Sequence, residues 1–172
     1  WTEWYENGQK RSEVNFNNGI MDGVRTEWYE NGKKKIKGTY KNGIMDGVRT
    51  EWGENGKKKN EKSWKKGVKD GKWISWFSNG NKSSERVFKD GKKNIWNGWY
   101  LNNNMEFKRT FKNGTENGTW NSWYQNGEKK NEKIWNEGVK DGKWISWFSN
   151  GNKMNEKRYE NNKMISDIHW YR

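Results

Sequence analysis

The sequence predicts an all-β protein, an elongated single-sheet antiparallel β-meander of about seven β-hairpin repeats. Three observations carry this expectation. A period of 24 residues, with one unit of 23, runs through the 172-residue chain. Each unit holds two aromatic-rich runs around an Asn-Gly pair or its equivalent. No apolar run has helical spacing.

Take Gly23, Gly47, Gly71, Asn94, Gly118 and Gly142 as repeat position 0. The units are then 1–22, 23–46, 47–70, 71–93, 94–117, 118–141 and 142–165, with a fragment 166–172, and no linker interrupts this single array. Position 5 is always aromatic: Trp4, Trp28, Trp52, Trp76, Trp99, Trp123, Trp147 and Tyr171. Position 9 is the Gly of Asn-Gly, with Asn103 standing in once, and position 17 is a ring throughout. The stretch GVKDGKWISWFSNGNK occurs at 67–82 and again at 138–153, a mark of recent duplication.

Within a unit, the first strand runs from the position-0 Gly to the ring at position 5. The Asn-Gly that follows signals a hairpin, because both central residues of a type I′ turn need positive φ. The second strand runs from the Lys at position 11 to the ring at position 17, and KNGIMDG or KKGVKDG supplies another short turn into the next unit. A two-residue turn sets the ring at position 6 opposite the Lys at position 11: Tyr5 with Lys10, Tyr29 with Lys34, Phe77 with Lys82, Tyr124 with Lys129, Phe148 with Lys153. It sets the Trp at position 2 opposite a base at position 15: Trp73 with Arg86, Trp96 with Arg109, Trp120 with Lys133 and Trp144 with Lys157. It also sets the position-0 Gly under the ring at position 17. Both ring-cation sets are expected on one face. The position-5 Trp column and the acids Glu13, Glu61, Glu85, Glu132 and Glu156 are expected on the other, with the Trp column as the structural seam. A lone hairpin buries little, so stability must come from stacked neighbours.

Only 28% of residues are hydrophobic, yet 15 are Trp, so any core is built from flat rings rather than aliphatic chains. The formal net charge is +13, a field that favours acidic partners. There is no Cys for a disulfide or thiolate metal site, and no apolar run approaches the roughly 20 residues of a membrane-spanning helix.

The pattern G-x-W-x-x-W-[YF]-x-N-G-x-K-x-x-E, read from GKWISWFSNGNKSSERVFKDG at 71–91 and its sisters, resembles the bacterial variant of the MORN repeat. The resemblance spans nearly the whole chain. It implies a β-meander scaffold for protein or lipid contacts, with relatives among antitoxins and among exported or cell-surface bacterial proteins. The unit at Asn94 departs from the pattern, with Asn103 for the turn Gly and Met105 for the Lys.

No nucleophile, acid-base pair or metal spacing stands out, so the expectation is a non-enzyme without cofactor or metal. The single His169 lies in the terminal fragment. The Asp-Gly steps at Asp22, Asp46, Asp70 and Asp141 lack calcium-loop spacing and are read as turn formers. The lysines at position 11 (Lys10, Lys34, Lys58, Lys82, Lys129 and Lys153), with Tyr29, Phe77, Tyr124 and Phe148, form the candidate binding row. Its expected partner is a protein, an anionic lipid or a cell-surface polymer, ahead of nucleic acid, and open sheet edges invite self-association. Two alternatives stand beside this reading: an antitoxin or immunity protein, and a choline- or carbohydrate-binding module. The latter is suggested by NGWYLNNN at 97–104.

Overall fold

A computed structural model describes residues 1–171, so Arg172, at the end of the expected fragment, lies outside the described residues. The fold is an open antiparallel sheet of 17 strands in meander order, and no helix occurs among the described residues. Two compact units make it up, Trp1–Asn81 with Phe88–Gly91, and Lys82–Val87 with the described residues from Lys92 onward. In the first unit lie β1 (Thr2–Trp4), β2 (Lys10–Asn17), β3 (Ile20–Trp28), β4 (Lys34–Lys41), β5 (Ile44–Met45), β6 (Gly47–Trp52), β7 (Lys58–Lys65) and β8 (Val68–Trp76). β9 (Lys82–Lys89) contributes to both units. The second unit holds β10 (Lys92–Trp99), β11 (Met105–Lys112), β12 (Thr115–Glu116), β13 (Gly118–Trp123), β14 (Lys129–Asn136), β15 (Val139–Trp147), β16 (Lys153–Glu160) and β17 (Lys163–His169). Each strand pairs with its sequence neighbour, and the short β5 and β12 are the split starts of the strands that β6 and β13 continue.

Both kinds of turn occur where expected, but their types are exchanged. The Asn-Gly after position 5 is a wider loop: Tyr5 N–H donates to the Gln9 carbonyl and Gly8 N–H to the Tyr5 carbonyl, 2.8 and 3.0 Å. Only Gly8 has positive φ (79°), while Asn7 keeps an ordinary φ and turns its side-chain oxygen to the Gln9 N–H at 3.0 Å. That is a type I turn closed by a Gly bulge. The type I′ turns are the connections between units, at Asn18-Gly19 (φ 48° and 77°), Asn42-Gly43 (50° and 78°) and Lys66-Gly67 (50° and 79°).

The extra bulge residue corrects the expected register. Lys10 pairs with Trp4 rather than Tyr5, Lys34 with Trp28, Lys129 with Trp123 and Lys153 with Trp147. Beyond the bulge the expected pairs hold: Trp96 opposite Arg109, Trp120 opposite Lys133, Trp144 opposite Lys157, Gly47 opposite Trp64 and Gly142 opposite Tyr159. The position-0 glycines serve conformation rather than ring coverage. Gly47 has φ 120°, and a Cβ there would meet Thr39 Cβ at 3.3 Å, not the opposing ring.

The last unit is one residue shorter than expected. Arg158 pairs with Ser166 and Tyr159 with Met164, where Lys133 pairs with Trp144 and Trp135 with Lys140. The missing residue is taken out of the bulge at the strand entry. Trp170, not Tyr171, therefore stands in the position-5 column, with the Lys153 ammonium 5.2 Å from its ring.

A single sheet has no second layer, and the core is correspondingly thin. Val14, Thr26, Thr50 and Ile74 are its buried side-chain members, while the rings lie half-buried on both faces. Turns stack on turns instead. Asp22 Oδ2 accepts from Asn42 N–H at 3.4 Å, Asp46 Oδ1 from Lys66 N–H at 3.2 Å, and Asn117 Oδ1 from Glu137 N–H at 3.2 Å. At the opposite sheet border, Tyr5 Oη donates to the Trp28 carbonyl and Tyr124 Oη to the Trp147 carbonyl, both at 2.8 Å. The Asp-Gly steps are thus inter-repeat caps, in keeping with their reading as turn formers.

Candidate functional site

The basic row expected at position 11 lies against rings and acids in the structure. Its lysines share a face with the position-5 Trp column and the position-14 acids, because the bulge turns them over. The Lys10 ammonium sits 5.8 Å from the Trp4 ring and 5.7 Å from the Trp28 ring, and it ion-pairs with Glu13 at 2.8 Å. Lys58 lies over Trp76 and pairs with Glu61, Lys82 lies over Trp99 and pairs with Glu85, and Lys129 lies over Trp147 and pairs with Glu132. Lys153 pairs with Glu156 at 3.1 Å. In Lys34 the row has no acid, since position 14 of that unit is Lys37. Five of six predicted binding lysines thus neutralise a carboxylate three residues on and rest on a ring.

The position-6 rings, on the opposite face, take their cations from position 12. The Arg11 guanidinium lies 6.0 Å from the Tyr5 ring, the Lys35 ammonium 5.6 Å from Tyr29, and the Lys130 ammonium 5.3 Å from Tyr124. The third unit has Gly53 at position 6, and its missing ring opens a hollow of about 390 Å³ that brings together Tyr29, Lys58, Trp76 and Phe77. Phe148 belongs to the same ring series, and its N–H closes the turn onto the Asn152 carbonyl at 2.8 Å.

The strongest constellation on this second face lies at positions 2, 15 and 17. Rings from positions 17 and 2 alternate along the second unit: Phe111, Trp120, Trp135, Trp144 and Tyr159 stand 5.2, 5.3, 5.0 and 5.1 Å apart, tilted by about 47 to 56°. Such tilted pairs contribute about 0.5–1.5 kcal/mol each beyond burial. The indole N–H explains why position 2 is Trp: Trp120 Nε1 donates to the Thr110 carbonyl at 2.8 Å, and Trp144 Nε1 to the Ile134 carbonyl at 2.9 Å. Ile134 sits at the strand bulge, where the β14–β15 ladder skips a residue, so the indole satisfies a carbonyl that the ladder leaves open.

Cations intercalate with these rings. The Arg109 guanidinium is 5.1 Å from Trp96, 4.5 Å from Phe107 and 5.1 Å from Trp120. Lys93 caps Trp96 and Phe111 at 4.8 and 4.3 Å, and Lys140 caps Trp144 and Tyr159 at 4.8 and 5.1 Å. Arg86 sits 4.8 Å from Trp96 and Lys133 4.8 Å from Trp144. None of these five has an ion pair among the described residues. Burial first, then the charges of Lys140 and Arg109, pull the Lys133 ammonium below the usual lysine range. Burial and the Arg86 charge do the same to Lys93, against a partial pull upward from Glu116.

In the first unit Trp73 repeats the ring pattern, 4.9 Å from Trp64 and 5.2 Å from Phe88, while two other repeats hold charge pairs. Arg25 pairs with Glu27 at 2.7 Å, and Arg49 with Glu51, which also accepts from Asn60 Nδ2 at 3.0 Å. Burial works to raise the Glu51 carboxyl, but Asn60, Arg49 and Lys62 outweigh it and hold it below its ordinary range.

The model of the family described as MORN repeat variant matches residues 1–18, 21–42, 45–66, 69–90 and 140–161, more than half of the chain. The chain belongs to the MORN repeat variant family. The matches follow the 24-residue period and skip 91–139, which includes the divergent unit at Asn94. That unit nevertheless keeps the family turn, since Asn103 adopts φ 71° in place of Gly, and its Phe107 ring fills the space over Gly98, where a Cβ would approach within 2.3 Å. No curated protein matches the chain. This MORN repeat array is therefore a repeat scaffold.

The sequence reading found the partners at positions 2 and 15 but missed the ring at position 17 as their continuation. The signal was present: with Gly47 opposite Trp64, positions 0, 2, 15 and 17 must share one face.

Proposed function

We propose that this MORN repeat array is a non-catalytic binding scaffold that engages an anionic partner surface through the ring-and-cation face of its second unit. One observation supports this reading above others: Arg86, Lys93, Arg109, Lys133 and Lys140 crowd onto aromatic rings without a salt-bridging carboxylate, whereas five of the six position-11 lysines pair with acids. Crowded, partly desolvated cations lower one another's affinity for protons, and an incoming anion relieves that cost. Periodic display lets weak contacts at successive repeats add. Over the position-5 Trp column, by contrast, lysines already occupy the ring faces that a choline headgroup would need.

Sedimentation with vesicles, with and without anionic lipid and across a salt series, tests the reading. Wild type is expected to bind anionic vesicles and to lose them as salt rises. Changing Arg109, Lys133 and Lys140 to Gln should abolish binding, while changing Lys10, Lys58 and Lys129 to Gln should leave most of it. Equal losses in both variants, or no binding by wild type, would refute the assignment of this face.

A further inference from the structure

Within that face, the repeat starting at Gly118 lacks two groups that its sister starting at Gly47 carries: the position-4 carboxylate, Glu51, and the Arg49 that pairs with it, replaced by Ser122 and Trp120. In the sister, Glu51 at position 4 accepts from Asn60 at position 13, pairs with Arg49 at position 2 and feels the charge of Lys62 at position 15. In the Gly118 repeat, Asn131 and Lys133 hold those last two register positions, opposite Ser122 and Trp120. Position 4 is Ser122, so the amide donor and the lysine remain while the acid they would hold is gone. Asn131 Nδ2 donates to Ser122 Oγ at 3.0 Å instead. Another position-15 lysine, Lys157, has an acid, Asp167 at 3.3 Å. Lys133 has none among the described residues.

We propose that Lys133, Arg109 and Asn131 form a site for a carboxylate carried by an acidic segment of a protein partner. The site rests on the reading of this face as a binding surface and adds the chemical group it takes. It is a hollow of about 170 Å³ lined by Arg109, Trp120, Asn121, Ser122, Asn131, Lys133 and Trp135. A water's share of liquid volume is about 30 Å³, so the hollow has room for a carboxylate. Arg109 brings a planar guanidinium from the preceding repeat, held by Phe107 and Trp120 at 4.5 and 5.1 Å, and guanidinium groups match carboxylates in shape. Ser122 accepts from Asn131 and has its own hydroxyl hydrogen to donate. The Trp135 indole N–H is buried and has no acceptor among the described residues. Arg109, Lys133, Asn131 and Ser122 offer cations and donors, and in the sister repeat a cation and the equivalent amide, Arg49 and Asn60, hold the Glu51 carboxylate.

Indole resonances of the full chain, followed by NMR, test the site. The probes are acetate and an acetylated, amidated tetraglutamate, against inorganic phosphate and chloride at matched ionic strength. Tetraglutamate should shift Trp120 and Trp135 saturably, and Lys133→Gln should weaken that binding at least about tenfold, the effect of losing one charged hydrogen bond. Ser122→Glu installs the sister's carboxylate; it should abolish the shifts and raise the melting temperature. The proposal is overturned by no shift in wild type, by equal affinity in Lys133→Gln, by retained binding in Ser122→Glu, or by phosphate shifting these indoles while carboxylates do not. Vesicle sedimentation separates the two readings. Vesicle binding without the indole shifts sinks the site alone, and the shifts without vesicle binding sink the wider reading alone.

Discussion

At the same register positions, two repeats of the first unit of this protein place Arg25 and Arg49 beside Glu27 and Glu51, a third places Trp73 near Ser75, and the second unit places Trp96, Trp120 and Trp144 near Gly98, Ser122 and Ser146. Two solutions to one backbone problem result. The arginines lie along the sheet and are neutralised within the chain. Trp120 and Trp144 stand against the rings of position 17 and satisfy bulge carbonyls through their indole N–H groups, and Arg109 and Lys133, opposite Trp96 and Trp120, have no ion pair among the described residues. A MORN hairpin thus tolerates either chemistry at its second position, but only the Trp version leaves charge available for a partner.

The comparison breaks most readily at the rings. Trp120→Ala should cost about 3 kcal/mol, at the low end for a Trp truncation because the ring is half-buried, and Arg49→Ala about 1–2 kcal/mol. Hydrogen exchange of the flanking strands should locate each loss in its own unit, since repeat arrays open locally. Equal losses would mean that the ring stack is not what holds the second unit.

Next in size are the bulge glycines, which both units need alike. Gly142→Ala forces a Cβ residue to φ 75° with Ile134 Cδ1 at 3.2 Å, and Gly47→Ala forces φ 120° with Thr39 Cβ at 3.3 Å. Each should cost about 1–3 kcal/mol in urea unfolding. A loss in one unit only would show that the two bulges are not equivalent.

A smaller effect of opposite sign is expected at Gly53, whose missing ring sets it apart from Tyr29 and Tyr124. Its φ is not positive, so Gly53→Tyr can complete the series under Lys59, with a gain of about 0.5–1 kcal/mol. An unchanged melting temperature would mean that the hollow collapses in the wild type without cost.

The smallest effects concern pH, and both raise stability as pH climbs, one through the acid range and the other through the alkaline range. Glu51 is held below its unfolded value, so its contribution is present above the ordinary carboxylate range and is lost as pH falls through its depressed folded pKa. Lys133 is also held below its unfolded value, but for a lysine this penalises the charged folded form. Stability there is lowest while the ammonium is charged in both states, and it rises as pH climbs through the folded pKa toward the unfolded one. Glu51→Gln should flatten the acid limb of the first unit, and Lys133→Met the alkaline limb of the second, both read by hydrogen exchange across a pH series. A limb that persists in its variant would assign it to another group.

Much of this was legible in the sequence. The period gave the strand count, the Gly-Asn clusters gave the turns, and the alternation beyond the bulge gave the pairs of positions 2 and 15. What failed was local: the last repeat is a residue short at its strand entry, so Trp170 rather than Tyr171 continues the Trp column, and the larger error came from the Asn-Gly turn. Asn-Gly is compatible with both a type I′ turn and a type I turn with a Gly bulge, and the choice depends on whether the Asn side chain reaches the N–H two residues on, as Asn7 does to Gln9. That single added residue moved the position-11 lysines to the other face, onto the Trp column and beside their acids. In place of an open row, Lys10, Lys58, Lys82, Lys129 and Lys153 lie against rings and acids.

The sequence alone therefore determined the fold class, the repeat and its family, because a 24-residue period of rings and turn residues admits only a stacked hairpin array. Which lysines are neutralised and which are exposed to a partner was decided by the tertiary structure. Charge is counted along the chain, but it is cancelled only across space, where a bulge decides which face each side chain occupies.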